Sequence, residues 1–244
     1  MKVYLLASIL SLALVTFVHL NLEISKVKKV ANYSSERTKN TANKGETPLL
    51  KIVPSDNCTK LDSFEVLLDE KNPLPQNFVP DDLVTLSSKV IPGPANAKLR
   101  AEAADQLYIL LWEMRKLDLA FKVYSAYRSP DNQKAVYVRS VNDLETSVLG
   151  SRIAAPPGHS EHQLGTAVDL VLPNGQQLYP SKVWDWLDQN AHKFGFVMSY
   201  RFPHQELTGY KFEPWHWRYV GISLARKIRY SPDPPQKFYK KIAC

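Results

Sequence analysis

The chain has 244 residues, 44% of them hydrophobic and 23% charged, and a formal net charge of +7. Once the N-terminal region is set aside, about 190 residues remain, enough to bury one ordinary globular core. The charge excludes a nucleic-acid footprint by its location: between Glu23 and Val53 seven bases (Lys26, Lys28, Lys29, Arg37, Lys39, Lys44, Lys51) face three acids (Glu23, Glu36, Glu46), which leaves the remainder close to balance.

Val3 to Leu20 is apolar apart from Ser8, Ser11, Thr16 and His19. Residues 1–22 therefore read as a signal peptide or signal anchor and not as part of the fold. The run approaches the ~20 residues of a membrane span, and no small-x-small cleavage signal follows it, so an uncleaved anchor and membrane attachment through this segment are expected. Lys26, Lys28 and Lys29 oppose export by the positive-inside rule. The chemistry argued below favours export, to the periplasm or the cell surface. Residues 23–55 are polar and without periodicity, a flexible basic linker suited to an anionic membrane face or wall polymer. One domain, a monomer, is expected over residues 56–244. Cys58 and Cys244 bracket it, and in an exported protein such a pair reads as a disulfide.

Residues 72–95 carry five prolines and read as an extended surface segment. From Lys98 to Leu119 the apolar positions Leu99, Ala103, Leu107, Leu110, Leu111 and Met114 recur with a helical period. Phe121 to Tyr127 alternates like a strand and runs into Ser129-Pro130, an N-cap followed by proline at the first helical position, so a helix to about Asn142 should follow. Thr166–Leu172 reads as a strand, Lys182–Lys193 as a helix closed by Gly195, Phe196–Tyr200 and Glu213–Trp217 as strands, and Gly221–Arg229 as a helix. Antiparallel pairing is expected through residues 196–217. The whole is an α+β pattern, a small and mainly antiparallel sheet with helices packed on it and a metal site at one end.

Four residues carry the chemistry: His162, Asp169, Glu213 and His216. Two imidazoles and a carboxylate make a three-ligand set of the kind catalytic zinc uses, with a fourth position left for water. A carboxylate inside the apolar run Ala167-Val168-Asp169-Leu170-Val171 is costly to bury unpaired, and a cation offsets that cost. His162 lies seven residues upstream, behind a turn at Gly165, and can return to the same strand end. Glu213 stands three residues before His216, framed by Pro214, Trp215 and Trp217. Such a frame dries the carboxyl and raises its pKa into the range of a general base. His19, His159, His192 and His204 read as surface or core decoration.

The runs Ser125-Ala126-Tyr127-Arg128-Ser129, Pro157 to Asp169, Phe194-Gly195-Phe196 and Thr208 to His216 resemble, in order, those of the VanY-type zinc D-alanyl-D-alanine carboxypeptidases, relatives of lysostaphin-like peptidases and the hedgehog signalling domain. The resemblance implies that His162, Asp169 and His216 bind Zn2+, that Glu213 is the catalytic base, and that Arg128 meets the substrate carboxylate or the developing oxyanion. It places Gln133 and Ser160 along the substrate pocket, and Trp215, beside Glu213, joins them there. A bidentate guanidinium at a strand end, next to a helix N-terminus, suits a free carboxylate. Residues 201–209 read as a variable lid, and Trp217 replaces an expected aliphatic residue; both bear on substrate range.

The implied reaction is removal of the terminal D-alanine from peptidoglycan stem peptides, by D,D- or L,D-cleavage. The alternatives are a related peptidoglycan endopeptidase or D-Ala-D-Ala dipeptidase and, from another class, a non-catalytic zinc-bearing wall-binding module. Arg128 speaks against the endopeptidase, and an intact Glu213 speaks against the binding module.

Overall fold

Four antiparallel strands in the order β3–β4–β6–β5 form the platform of the molecule. They are β3 (Lys122–Ser125), β4 (Ala167–Val171), β5 (Phe196–Met198) and β6 (His216–Tyr219). This is a computed structural model that describes residues 61–242 apart from 62, 70, 76 and 143–153. Residues 1–22, the basic linker, Cys58 and Cys244 lie outside the described residues. Among the described residues no helix is long and apolar enough to cross a membrane.

The period-2 alternation of strands divides the platform into two faces. Val168 and Leu170 of β4, Trp217 and Tyr219 of β6, and Phe196 and Met198 of β5 join one buried cluster. Helix α1 (Ala101–Arg115) lays Leu107, Leu110, Leu111 and Met114 into that cluster. Truncating one of these leucines to alanine removes a transfer term and leaves a cavity, together worth about 2–5 kcal/mol. The opposite side chains, Asp169 of β4 and His216 and Arg218 of β6, share the other face, because Asp169 pairs with His216 and Ala167 with Arg218.

The remaining elements position the ends of these strands. Helix α2 (Pro130–Asn142) begins where expected, with the Ser129 hydroxyl accepting from the Asn132 amide at 3.3 Å. Helix α3 (Lys182–Asn190) is capped by Ser181 and passes into a 3₁₀ turn, Ala191–Phe194, closed by Gly195. The short helix α4 (Gln205–Thr208) lies within the expected lid segment, and α5 (Ile222–Arg229) and α6 (Pro235–Ile242) close the chain.

Two expectations are corrected. The helical run begins at Ala101 rather than Lys98, because Lys98–Arg100 forms strand β2, paired with β1 (Leu83–Thr85). The proline-rich stretch runs along the surface as expected, most of it exposed, and Leu74, Leu86 and Ile91 anchor it to the core. The last strand is His216–Tyr219, so Glu213 stands in the turn before it, where the His216 amide donates to the Glu213 carbonyl at 3.1 Å.

Candidate metal centre and active site

His162 arrives on a 3₁₀ turn, Glu161–Leu164, capped at its start by Ser160, whose hydroxyl accepts from the His162 amide. Gly165 ends the turn in the left-handed region at φ 67°. A Cβ there would meet Leu83 Cδ2 at 2.7 Å and Arg100 Cγ at 3.1 Å, contacts that side-chain shifts can relieve, so it is the backbone conformation that calls for glycine. The turn returns the chain directly into β4, which brings His162 Nε2 to 3.1 Å from Asp169 Oδ2. The strand register brings His216 Nδ1 to 3.1 Å from Asp169 Oδ1.

Ligand atoms of these three buried residues all lie within 4.8 Å of one another. Bonds of about 2.0–2.1 Å to a tetrahedral zinc imply ligand–ligand edges of roughly 3.3–3.4 Å, close to the two histidine–carboxylate separations. The two imidazoles present different nitrogens. His162 Nδ1 is taken by the Ala126 carbonyl at 2.7 Å, which leaves Nε2 toward Asp169. His216 Nε2 is taken by Glu161 Oε2 at 2.9 Å, which leaves Nδ1. Donor set, spacing and ring orientation fit a divalent cation.

The electrostatics follow from burial among charges. Burial opposes ionisation of Asp169, but His162 and His216 overcome it and hold the carboxyl well below its usual range. Burial likewise pushes His216 down, yet hydrogen bonds to Asp169 and Glu161 raise it to about 10, so without a metal it is an imidazolium bridging two carboxylates. Cation binding at Nδ1 displaces that proton, which makes affinity rise with pH. Burial lowers His162. Glu213 is raised to about 8, chiefly by burial, with Asp169 and Glu161 adding to the effect against His216 and Arg128.

Arg128 is fixed from two sides. Its Nη1 donates to Gln133 Oε1 at 2.8 Å and its Nη2 to Ser125 Oγ at 2.9 Å, while Nη2 stands 3.8 Å from Asp169 Oδ2. Gln133 is only 1% exposed and its amide donates to the Ala155 carbonyl at 2.6 Å. It is thus enclosed behind Arg128 and offers almost no surface of its own. Ser160 is also buried, committed to capping the His162 turn, and Trp215 is half-buried beside Glu213. Tyr200 lays its ring 5.1 Å from that of His216 and 4.5 Å from that of Tyr210.

Glu161 had no assigned role in the sequence reading, yet it is among the most connected side chains of the site. Besides His216 it accepts from Ser199 Oγ at 2.5 Å and from Arg218 Nη1 at 2.9 Å. Burial would raise its pKa, but Arg218 and His216 hold it down to about 2. Removing one partner of such a buried pair leaves an uncompensated charge, at a cost of about 3–5 kcal/mol.

A buried His–Asp–His triad beside a carboxyl and a guanidinium, on an antiparallel sheet, defines a metallopeptidase-type α+β domain. Residues 96–222 match the VanY family, described as D-alanyl-D-alanine carboxypeptidase, and the chain belongs to that family. The Bacillus subtilis (strain 168) protein YodJ, assigned as a carboxypeptidase, is 32% identical over 191 residues, covering 72% of this chain and 67% of its own length. Among solved structures, the LdcB LD-carboxypeptidase superposes with a TM-score of 0.66 at 30% identity, covering 74% of this chain and 87% of that one. A variant of the vancomycin-resistance D,D-pentapeptidase VanY, in complex with Zn(II), gives a TM-score of 0.61 at 29% identity, over 74% of this chain and 99% of that one.

Proposed function

We propose that the chain is a zinc carboxypeptidase that releases the terminal D-alanine of peptidoglycan stem peptides outside the cytoplasm. The observation that carries this reading is the placement of Arg128, locked by Gln133 and Ser125, beside the His162–Asp169–His216 triad. His162 Nε2, an Asp169 oxygen and His216 Nδ1 would hold the ion. Zinc in such a site polarises a carbonyl and acidifies water.

The other work belongs to the chain's own side chains. Arg128, held flat by two acceptors, keeps its remaining N–H groups for a terminal carboxylate or for charge developing on the scissile carbonyl oxygen. Beside a bound cation the pKa of Glu213, dry and raised to about 8, would be pulled back down, and the resulting carboxylate accepts a proton from water. It returns that proton to the departing D-alanine amine. A cleft of about 580 Å³, lined by Asp69, Lys71, His159, Tyr200, Tyr210 and Lys237, adjoins the site through Tyr200, whose ring lies 5.1 Å from that of His216, and offers room for part of the peptide.

A non-catalytic binding module has no use for a buried carboxyl raised in this way, and an endopeptidase has no use for a fixed guanidinium at the carboxylate position. Relatives named for both L,D- and D,D-cleavage superpose comparably. The test is to incubate the zinc-loaded protein with a stem pentapeptide ending in D-Ala-D-Ala and with the tetrapeptide ending in L-residue-D-Ala, weighing the products. Loss of one alanine from either supports the reading and sets the specificity. Release of a D-Ala-D-Ala dipeptide, or cleavage only within a cross-linked peptide, overturns it.

A further inference from the structure

We infer that Glu161 is the positioning residue of the metal centre: it holds His216 by Nε2, so that Nδ1 and not Nε2 is presented to the metal. The inference rests on the zinc reading above and concerns a residue that reading does not use. His216 Nε2 lies 2.9 Å from Glu161 Oε2, which accepts the ring N–H. Carboxylates face both ring nitrogens, Asp169 at Nδ1 and Glu161 at Nε2; where a cation takes the place of the Nδ1 proton, the Nε2–H stays on Glu161 and the lone pair lies on Nδ1.

What holds Glu161 is as specific as what it holds. Ser199 Oγ donates to the same oxygen at 2.5 Å, and Arg218 Nη1 to the other at 2.9 Å. Arg218, fully buried, donates through Nη2 to the carbonyls of Phe64 at 3.0 Å and Val66 at 2.6 Å, and its guanidinium lies 4.3 Å from the ring centroid of Tyr239 in α6. The cation is thereby anchored by both ends of the domain, and Glu161 cannot rotate away without orphaning it. Glu161 also precedes His162 in the same 3₁₀ turn. One turn of chain therefore supplies a ligand of the site and the group that orients another ligand. His162 is oriented independently, through Nδ1 to the Ala126 carbonyl. Removing Glu161 should thus disturb His216 and spare His162.

The test uses the full chain as wild type, Glu161→Gln, and Glu161→Leu/Arg218→Met, the last removing both buried charges together. Zinc affinity is measured by chelator competition, and ring-nitrogen chemical shifts of ¹⁵N-histidine protein report which nitrogen carries the metal. In the wild type His216 should be metal-bound at Nδ1 with a proton on Nε2, and His162 the reverse. Both variants should bind zinc about 10–100-fold more weakly, with the His216 signals broadened or switched and those of His162 unchanged. A purely structural role would not move one ring and leave the other. Affinity within about threefold of wild type in either folded variant overturns the inference, as does wild-type His216 bound through Nε2. The wild-type spectrum decides the matter by itself if neither variant folds. A wild type without zinc affinity would instead remove the functional reading beneath it.

Discussion

Asp169 and His216 face each other across the β4–β6 ladder, and the imidazole Nδ1 stands 3.1 Å from the carboxylate. The strand register itself thus builds one edge of the metal site, before any loop contributes. The second edge depends on the Gly165 turn, which returns His162 to the other carboxylate oxygen.

These two origins predict how the ligands fail. His162→Ala, Asp169→Ala and His216→Ala should each lose zinc to below one equivalent after dialysis, as read by metal analysis. Asp169→Ala also strands the imidazolium of His216 against Glu161 alone. Retention of a full equivalent of zinc by any of the three would take that residue out of the ligand set.

In the proposed mechanism Glu213 contributes chemistry without belonging to the ligand set. Glu213→Gln should bind zinc as the wild type does and fold normally, while turnover drops by about 10²–10⁴-fold, the usual worth of a general base. Turnover within a few-fold of wild type would place the proton transfer on another group.

The same residue sets a pH dependence in the metal-free protein. Its carboxyl is raised from 4.5 to about 8 in the folded chain. The folded state therefore favours the proton: that contribution is fully present below the unfolded value and is lost as pH rises through the folded one. The stability of Glu213→Gln relative to wild type should climb between about pH 4.5 and 8, by on the order of 5 kcal/mol, and level off above. Urea melts in a chelating buffer across that range measure it. A constant difference would mean that Glu213 is not held neutral by burial.

How much of this was legible in the sequence varies with the physics involved. The sheet and its main helices follow from periodicity, and the strand residues Val168, Leu170, Trp217 and Tyr219 fell on the core face as alternation requires. The pairing of β1 with β2 was not legible, because three-residue strands carry no measurable period and the prolines around them suggested a surface strap. His162, Asp169 and His216 come together as expected. Glu161 and Arg218 were missed as site residues, since buried charges are read from contacts and not from patterns. A signal did exist: Arg218 lies two residues beyond His216 in the same strand, hence on the same face, and a charge there requires a partner.

In the proposed reaction Arg128 is the residue on which selectivity for a free C-terminus turns. It donates to Gln133 and Ser125, which hold the guanidinium plane, and burial lowers its pKa against the opposing pull of Asp169 and Glu213. A stem peptide ending in D-alanine should be cleaved, and its C-terminal amide cleaved about 30–1000-fold more slowly, the equivalent of a charge-assisted contact of ~2–4 kcal/mol. Arg128→Lys should recover little of the difference, because an ammonium cannot form two parallel hydrogen bonds to a carboxylate. Gln133→Leu should weaken the preference for acid over amide while leaving zinc content intact, because it frees the guanidinium and touches no ligand. Both are read from initial rates on the paired substrates. Equal rates on acid and amide by the wild type would defeat the carboxylate-clamp role and turn the assignment toward an endopeptidase, for which Arg128 would serve only the carbonyl oxygen.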